Sequence, residues 1–489
     1  MKTKNLVQLI TYPDSLGGNL PSLLEILDQY FTDLFPGGIH ILPPFPSSGD
    51  RGFAVISYGD IDPQFGDWSD IRNLAEKYDI MLDLIVNHVS SQSEYFQDFV
   101  QHGRRSKYAD MFITLEKVWG DRLPSRSEID EIFLRRSEPF SEYVIEDTGL
   151  PEKVWTTFGK TEPSEQIDID INSEIVKQYI ENVFNLFHDN GVKYVRLDAV
   201  GFVIKKPDSS CFFEEPEIIG FLDSTKEMAQ KFDLKVLPEV HGHYTVHKTL
   251  VDNNFWTYDF ILPYLVLEAM ILRKGNSLTS YLKSRSPHQF TMLDCHDGVP
   301  IMPDLNDIVD YRDARVVVET CLERGSNLSL IHSPQHQSDD GFNVHQIRGT
   351  YYSMLNSDDD AYITARAIQL FTPGIPQIYY MGLLAAENDI RRYEEVGDGR
   401  EINRHNFNLS EISEAVQKDV VQRQFKLIHF RNDHTAFSGN FSIQVITESC
   451  FDLEWKREES FCRLSVDLGN FKNTITYNHD NGEIQKYIP

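Results

Sequence analysis

The sequence predicts an α/β chain built on a (β/α)8 TIM barrel, with two inserted subdomains and a small C-terminal antiparallel β domain. Three observations predict it. Eight short runs rich in β-branched residues recur along the chain, and longer segments of helical period separate them. The runs are almost continuously apolar, as expected of strands covered on both faces of a parallel sheet. At 489 residues the chain is long enough for one large barrel with insertions.

In chain order, the expected strands are Leu6 to Ile10, Gly38 to Leu42, Ile80 to Val86, Lys193 to Asp198, Lys235 to Glu239, Trp256 to Leu262, Phe290 to Asp294 and Ile375 to Tyr379. The clearest expected helix is Ser173 to Asn190, where Ile175, Val176, Tyr179, Ile180, Val183, Phe184 and Phe187 form one stripe and Gly191 supplies the stop. Two stretches interrupt the alternation. Residues 87–167, after the third strand, are rich in charge, and residues 299–356, after the seventh, are polar and read as loop-rich. From about Thr435 apolar and polar residues alternate, which predicts short antiparallel strands. The expected limits are therefore 1–86, 168–298 and 357–434 for the barrel, 87–167 and 299–356 for the inserts, and 435–489 for the C-terminal β domain.

Hydrophobic residues make up 41% and charged residues 25%, which excludes disordered and collagen-like classes. Forty-six Lys and Arg against 75 Asp and Glu leave a net charge of −29, a field that repels polyanions and argues against nucleic acid as a partner. The cysteines Cys211, Cys295, Cys321, Cys450 and Cys462 are scattered, with no CxxC pair, and read as free thiols of a cytoplasmic protein. Neither a signal peptide nor a membrane-spanning run is expected.

Three carboxylates fall at or just beyond the ends of expected strands four, five and seven: Asp198, Glu239 and Asp297. Any one of them could be an N-cap or a loop salt-bridge residue. At three strand ends of one barrel they belong to the mouth, where barrel enzymes carry their reactive groups. Glycoside cleavage needs a carboxylate nucleophile on one side of the anomeric carbon and a protonated carboxylic acid on the other. Arg196, two residues before Asp198 on the same face of its strand, is expected to keep that carboxylate ionised. Glu239 follows Val236, Leu237 and Pro238, an apolar setting that would hold its proton for acid catalysis.

Asp83 with Asn87 and His88, then Arg196-Leu197-Asp198-Ala199-Val200, Glu239-Val240-His241 and His296-Asp297 stand in the order of four short signature regions. In these the chain resembles the α-amylase superfamily, glycoside hydrolase family 13. Val7 to Tyr12, Gly37 to Pro43 and Gly399 to His405 resemble its sucrose phosphorylase branch, and the likeness spans essentially the whole chain. The resemblance implies Asp198 as nucleophile, Glu239 as acid/base and Asp297 as transition-state stabiliser. It implies glucose contacts from His88, Arg196 and His296, closure of the subsite by Asp50 and Arg400, and a stacking platform in Phe53. His241 and Gln346 join the substrate-binding set. Many amylases hold calcium near the position of Asn87, but this branch generally does not, so no metal and no organic cofactor are expected. Inorganic phosphate is the implied co-substrate.

One departure sets the expected substrate. Sucrose phosphorylases usually carry Tyr at the position of His345 and Asn near that of Arg348, whereas Arg135 matches the branch's phosphate-contacting arginine. Cations at Arg135, His345 and Arg348 in a strongly acidic chain imply an anionic leaving group, such as sucrose phosphorylated on its fructosyl 6-position. Alternatively Arg348 pairs with Asp339 or Asp340, and the substrate is plain sucrose. A glucosylglycerate-type phosphorylase is a further alternative, and a catalytically inactive binding subunit a remote one. A hydrolase or transglucosidase would use the same carboxylates. The sequence leaves a monomer or homodimer open.

Overall fold

The computed structural model describes residues 4–301, 304–331, 337, 341–478 and 483–489. The eight barrel strands are β1 (Gln8–Thr11), β2 (Gly38–Ile41), β3 (Ile80–Ile85), β4 (Val192–Asp198), β5 (Lys235–Pro238), β6 (Thr257–Asp259), β7 (Gln289–Thr291) and β8 (Ile375–Tyr379). Hydrogen-bonded neighbours run β6-β7-β8-β1-β2-β3-β4-β5. Read cyclically this is the order of the chain itself, as in a (β/α)8 barrel.

By density of contacts the chain divides into two compact units, one of Met1–His40, His241–Leu330 and Val344–Pro489, the other of Ile41–Val240 and Ile331–Asn343. In the first unit β6 pairs in parallel with β7, β7 with β8 and β8 with β1. In the second, β3 pairs in parallel with β4 and β4 with β5, and the register sets Asp83 beside Arg196 and Ile85 beside Asp198. Every residue of β3 is buried, which explains the unbroken apolar reading around Asp83.

Two expected strands are shorter by two residues or more than the sequence implied. The apolar run from Trp256 keeps only three strand residues, because the Asp259 carboxylate accepts from the amides of Ile261 and Leu262 at 3.3 and 3.0 Å. That bend starts the helix Leu262–Leu272, with Pro263 in its first turn. The run from Phe290 likewise ends at Thr291. A continuous apolar segment does not itself distinguish a buried strand from a buried helix. The helix Glu174–Asp189 forms as the stripe requires: Ser173 Oγ accepts from the Ile175 amide, and Val176, Ile180, Val183, Phe184 and Phe187 are buried.

Residues 87–167 contain a hairpin of Phe140–Ile145 with Leu150–Trp155. Beside it lies a small core in which Trp119 stacks on Trp155 with ring centroids 5.6 Å apart. Residues 299–356 are more regular than their polar composition implied. They hold the helix Tyr311–Glu323, whose Ala314, Val317, Val318 and Cys321 are buried at helical spacing, and a sheet ordered Val299–Pro300, Val344–Arg348, Asn327–Leu330. From Asn440 five antiparallel strands follow in sequence order, the last, Ile484–Tyr487, not foreseen. All five cysteines are free. Among the described residues no helix is long and apolar enough to cross a membrane.

Phe184 is fully buried in the helix beside β4. Phe184→Ala is expected to lower the free energy of unfolding by about 3–5 kcal/mol, measurable by urea titration of the intact chain.

Candidate active site

In the second unit the candidate residues gather around one guanidinium. Arg196 Nη1 donates to Asp83 Oδ1 at 2.5 Å and to Asp198 Oδ1 at 2.7 Å, and Nη2 lies 3.5 Å from Glu239 Oε1. Glu239 Oε2 accepts from the backbone amide of Ala199 at 3.1 Å. Ala199 carries a φ of 54°, a left-handed turn that sends the chain off the end of β4 and aims this amide at the acid. The Arg196 side chain is 4% exposed, so three acids share a single buried cation.

Burial pushes the Asp198 carboxyl well above the usual carboxylate range; Arg196 draws it down, and Glu239 and Asp83 add repulsion that raises it. Arg196 draws the Asp198 carboxyl down as the sequence implied, but burial and the repulsion of Glu239 and Asp83 outweigh it, so Asp198 holds its proton to higher pH than a lone aspartate would.

His88 lies at the start of His88–Ser90, its ring nitrogen Nε2 3.1 Å from the Phe53 carbonyl. Burial lowers its pKa, opposed by Asp168 and Asp50, so the neutral ring donates this bond. The Phe53 ring sits 5.8 Å from the Arg196 guanidinium. Asp50 has a φ of 50° in the tight turn before it and lies 3.8 Å from Lys160 Nζ. Arg135 lies 6.0 Å from the ring of Phe158, itself 5.5 Å from the His88 ring. Its neighbour Arg136 is a tether, held by Ser141, Thr156, the Thr161 carbonyl and Glu162.

Beside Asn87, near which the resemblance puts the calcium of many amylases, the chain supplies a cation of its own. Lys205 Nζ lies 2.8 Å from Asp168 Oδ2, 3.0 Å from Asn87 Oδ1 and 3.1 Å from Thr157 Oγ1, with its side chain 3% exposed. These oxygens already surround an ammonium, so they do not fit a calcium ion.

The first unit holds Asp297. Arg400 Nη1 donates to its Oδ1 at 3.1 Å, while His241 Nε2 and His296 Nε2 each lie 3.6 Å from Oδ2. Burial alone would raise its pKa, but His296, Arg400, His241 and Arg404 hold it well below the usual range. The His241 ring stacks on Phe260 at 3.9 Å, and His296 meets Tyr12 edge-on at 6.1 Å. The loop is also gripped by its backbone: Asn403 Nδ2 donates to the Cys295 carbonyl and Arg404 Nε to the His296 carbonyl, both at 3.0 Å. The turn Gly399–Asn403 with the adjoining Arg404 thus holds three successive residues of this loop.

Val344–Arg348 brings some of the acceptor-side residues together and separates others. Strand alternation sets Gln346 and Arg348 on one face and His345 on the other. Gly298, next to Asp297, packs against the first face: a Cβ there would come within 3.0 Å of Gln346 Cβ, 3.1 Å of Arg348 Cγ and 2.5 Å of the Ile347 carbonyl oxygen. Burial and the nearby Arg400 lower the pKa of Arg348, opposed by Asp398 and Asp297. Asp339 and Asp340, considered as its partners, lie outside the described residues. Among the described residues no carboxylate forms an ion pair with Arg348.

A profile described as the α-amylase catalytic domain matches residues 10–257. The chain belongs to the α-amylase family, glycoside hydrolase family 13. Within this family it is 56% identical to the sucrose 6(F)-phosphate phosphorylase of Thermoanaerobacterium thermosaccharolyticum over 488 residues, all of both chains. It is 36% identical to a sucrose phosphorylase of Streptococcus mutans, covering 97% of this chain and 98% of the relative. The crystal structure of sucrose 6F-phosphate phosphorylase from Thermoanaerobacter thermosaccharolyticum superposes with a TM-score of 0.98, at 56% identity, covering 100% of this chain and 99% of that one.

The sequence does not mark the support residues as such. Asp83, Asn403 and Arg404 stand within its motifs without a role of their own, and Lys205 and Asp168 stand outside them. The one available signal for Lys205 is a lysine ending the apolar run from Val200 to Ile204.

A carboxyl whose folded pKa is raised favours folding at low pH and costs stability as pH climbs from its ordinary value of 3.8 through the raised one. Asp198→Asn is therefore expected to abolish catalysis while raising Tm by about 1–3 °C at pH 7. Calorimetry across pH should show the gap closing toward pH 4, and an unchanged or lowered Tm at pH 7 would count against the raised Asp198 pKa.

Proposed function

We propose that this enzyme is a retaining disaccharide phosphorylase that converts sucrose 6'-phosphate and inorganic phosphate to α-glucose 1-phosphate and fructose 6-phosphate. The observation that carries this reading is the 56% identity, over the full length of both chains, to a sucrose 6(F)-phosphate phosphorylase. In this reading Glu239 protonates the glycosidic oxygen as Asp198 attacks the anomeric carbon, giving a covalent glucosyl-enzyme and free fructose 6-phosphate. Phosphate then attacks the anomeric carbon, the Asp198–glucosyl ester bond breaks to free the carboxylate, and Glu239 takes up the proton that the phosphate oxygen gives up. Two inversions retain the α configuration.

The clustering of Asp198 and Glu239 around one guanidinium supports this pairing, since a nucleophile and the acid that works beside it must both face the same bond. Asp297, held ionised by His296, Arg400, His241 and Arg404, suits a hydroxyl-binding role that strengthens toward the transition state. Asp50, Phe53, His88, His241, His296, Arg400 and Gln346 complete the proposed glucosyl contacts.

Arg135, His345 and Arg348 are the proposed contacts of phosphate groups. Support for Arg348 is a largely buried guanidinium without an ion pair among the described residues, since a buried cation is costly until an anion satisfies it. The opposite facing of His345 and Arg348 fits two anions, one on the leaving sugar and one the attacking phosphate. This chemistry calls for no metal or organic cofactor. Doubly charged sugar phosphates do not cross a bilayer, which supports a cytoplasmic enzyme. A monomer or a homodimer would serve, and the domain limits given from the sequence remain part of the proposal.

Phosphate-dependent release from sucrose 6'-phosphate and from sucrose, measured in parallel, is expected to give the higher kcat/KM on the phosphorylated sugar. A preference for plain sucrose would transfer the assignment to sucrose phosphorylase, the activity named for the Streptococcus relative. His345→Tyr and Arg135→Ala are each expected to cost about ten- to a hundredfold in kcat/KM on sucrose 6'-phosphate, the worth of a hydrogen bond to a charged group. Equal losses on both sugars would argue against contact with the sugar phosphate.

A further inference from the structure

The loop after β7 carries a donor set that the phosphorylase chemistry does not use as such. Cys295 Sγ, a ring nitrogen of His296 and a carboxylate oxygen of Asp297 all lie within 4.8 Å of one another. His241 Nε2 stands 3.6 Å from the same Asp297 Oδ2 that His296 Nε2 approaches at 3.6 Å. Arg400 occupies the other oxygen, Oδ1, at 3.1 Å, so Oδ2 is the one left to two imidazoles.

We propose that Cys295, His296 and Asp297 form a binding site for a borderline-soft divalent cation of the zinc class, whose occupation inhibits the enzyme. Thiolate, imidazole and carboxylate are the three ligand types that such a cation takes, and three protein donors leave its fourth tetrahedral position to water. Bond lengths of about 2.0 Å to nitrogen and oxygen put neighbouring donors about 3.3 Å apart in a tetrahedron. The His296-to-Oδ2 spacing is close to that, and Cys295 Sγ lies within 4.8 Å of both other donors. The hard cations calcium and magnesium are disfavoured by the sulfur and the ring nitrogen.

The backbone grip on this loop favours the site further. The carbonyls of Cys295 and His296 are fixed by Asn403 and Arg404, so little conformational freedom is lost when the metal binds. Binding exchanges the thiol proton for the metal: the S–H bond breaks, the proton leaves to solvent, and the sulfur lone pair coordinates the cation. Affinity therefore rises with pH. The inhibition rests on the reading of Asp297 as a glucosyl-binding carboxylate, because the cation and the sugar hydroxyls would compete for Oδ2. The metal site itself does not rest on that reading.

The test has two arms on the full-length enzyme, stripped of metal with a chelator. In phosphate-free buffer without sugar, ZnCl2 is titrated by competition with a chromogenic chelator. One equivalent is expected to bind, more tightly as pH rises. Cys295→Ser should weaken it about tenfold or more, whereas Cys450→Ser, at a half-buried cysteine of the C-terminal sheet, should leave it unchanged. In the second arm Zn2+ should inhibit sugar turnover competitively with the sugar, reversibly by EDTA. Cys295→Ser should retain turnover and need about tenfold more Zn2+ for half-inhibition. Equal zinc binding by the parent and Cys295→Ser, or no stoichiometric binding by the parent, would overturn the proposal. Zinc binding as expected with turnover unaffected would overturn the inhibition. An enzyme without phosphorolytic activity that still binds one zinc would instead sink the functional reading and leave the site standing.

Discussion

The unit that holds β3, β4 and β5 depends on how one buried guanidinium shares itself among three acids. Arg196 reaches Asp83 and Asp198 at hydrogen-bond distance and Glu239 at the edge of it. A buried ion cluster of this kind is a poor source of stability, since desolvation offsets much of the attraction. What it supplies is geometry and a proton count. The register of β3 against β4 sets Asp83 directly beside Arg196, which fixes the guanidinium before any ligand arrives. With that donor fixed, Asp198 and Glu239 are held on either side of one cation.

Asp297 is held by the opposite logic. Where Asp198 has too little positive charge nearby, Asp297 has a surplus, from two imidazoles and two guanidiniums. The two carboxyls are therefore driven in opposite directions from the same starting value, one by shared scarcity and one by excess. Chemically identical side chains acquire different work through their neighbours alone.

Much of the fold was legible because buried parallel strands leave continuous apolar runs; Ile375–Tyr379 even begins and ends where the sequence puts it. The limits blurred where an apolar run passes from strand into buried helix, as after Asp259, since burial erases the period that tells them apart. Asp198 ends β4 and Glu239 follows β5 as the sequence placed them, because strand ends of a barrel announce themselves. The contacts of Lys205 and Arg404 were not legible, because their partners lie far off in sequence: Lys205 meets Asn87 across 118 positions and Arg404 meets His296 across 108. Such pairings leave no periodic trace. The facing of His345 away from Gln346 and Arg348 needed only the assignment of that segment as a strand, which its polar composition concealed.

The ammonium of Lys205, set among Asn87, Asp168 and Thr157, has a consequence for the surroundings in which the enzyme works. A cation supplied by a side chain cannot be lost by dilution, stripped by a chelator or drawn off as an insoluble salt. The chain thus keeps this internal tie whatever the ionic composition around it, even where phosphate sequesters calcium.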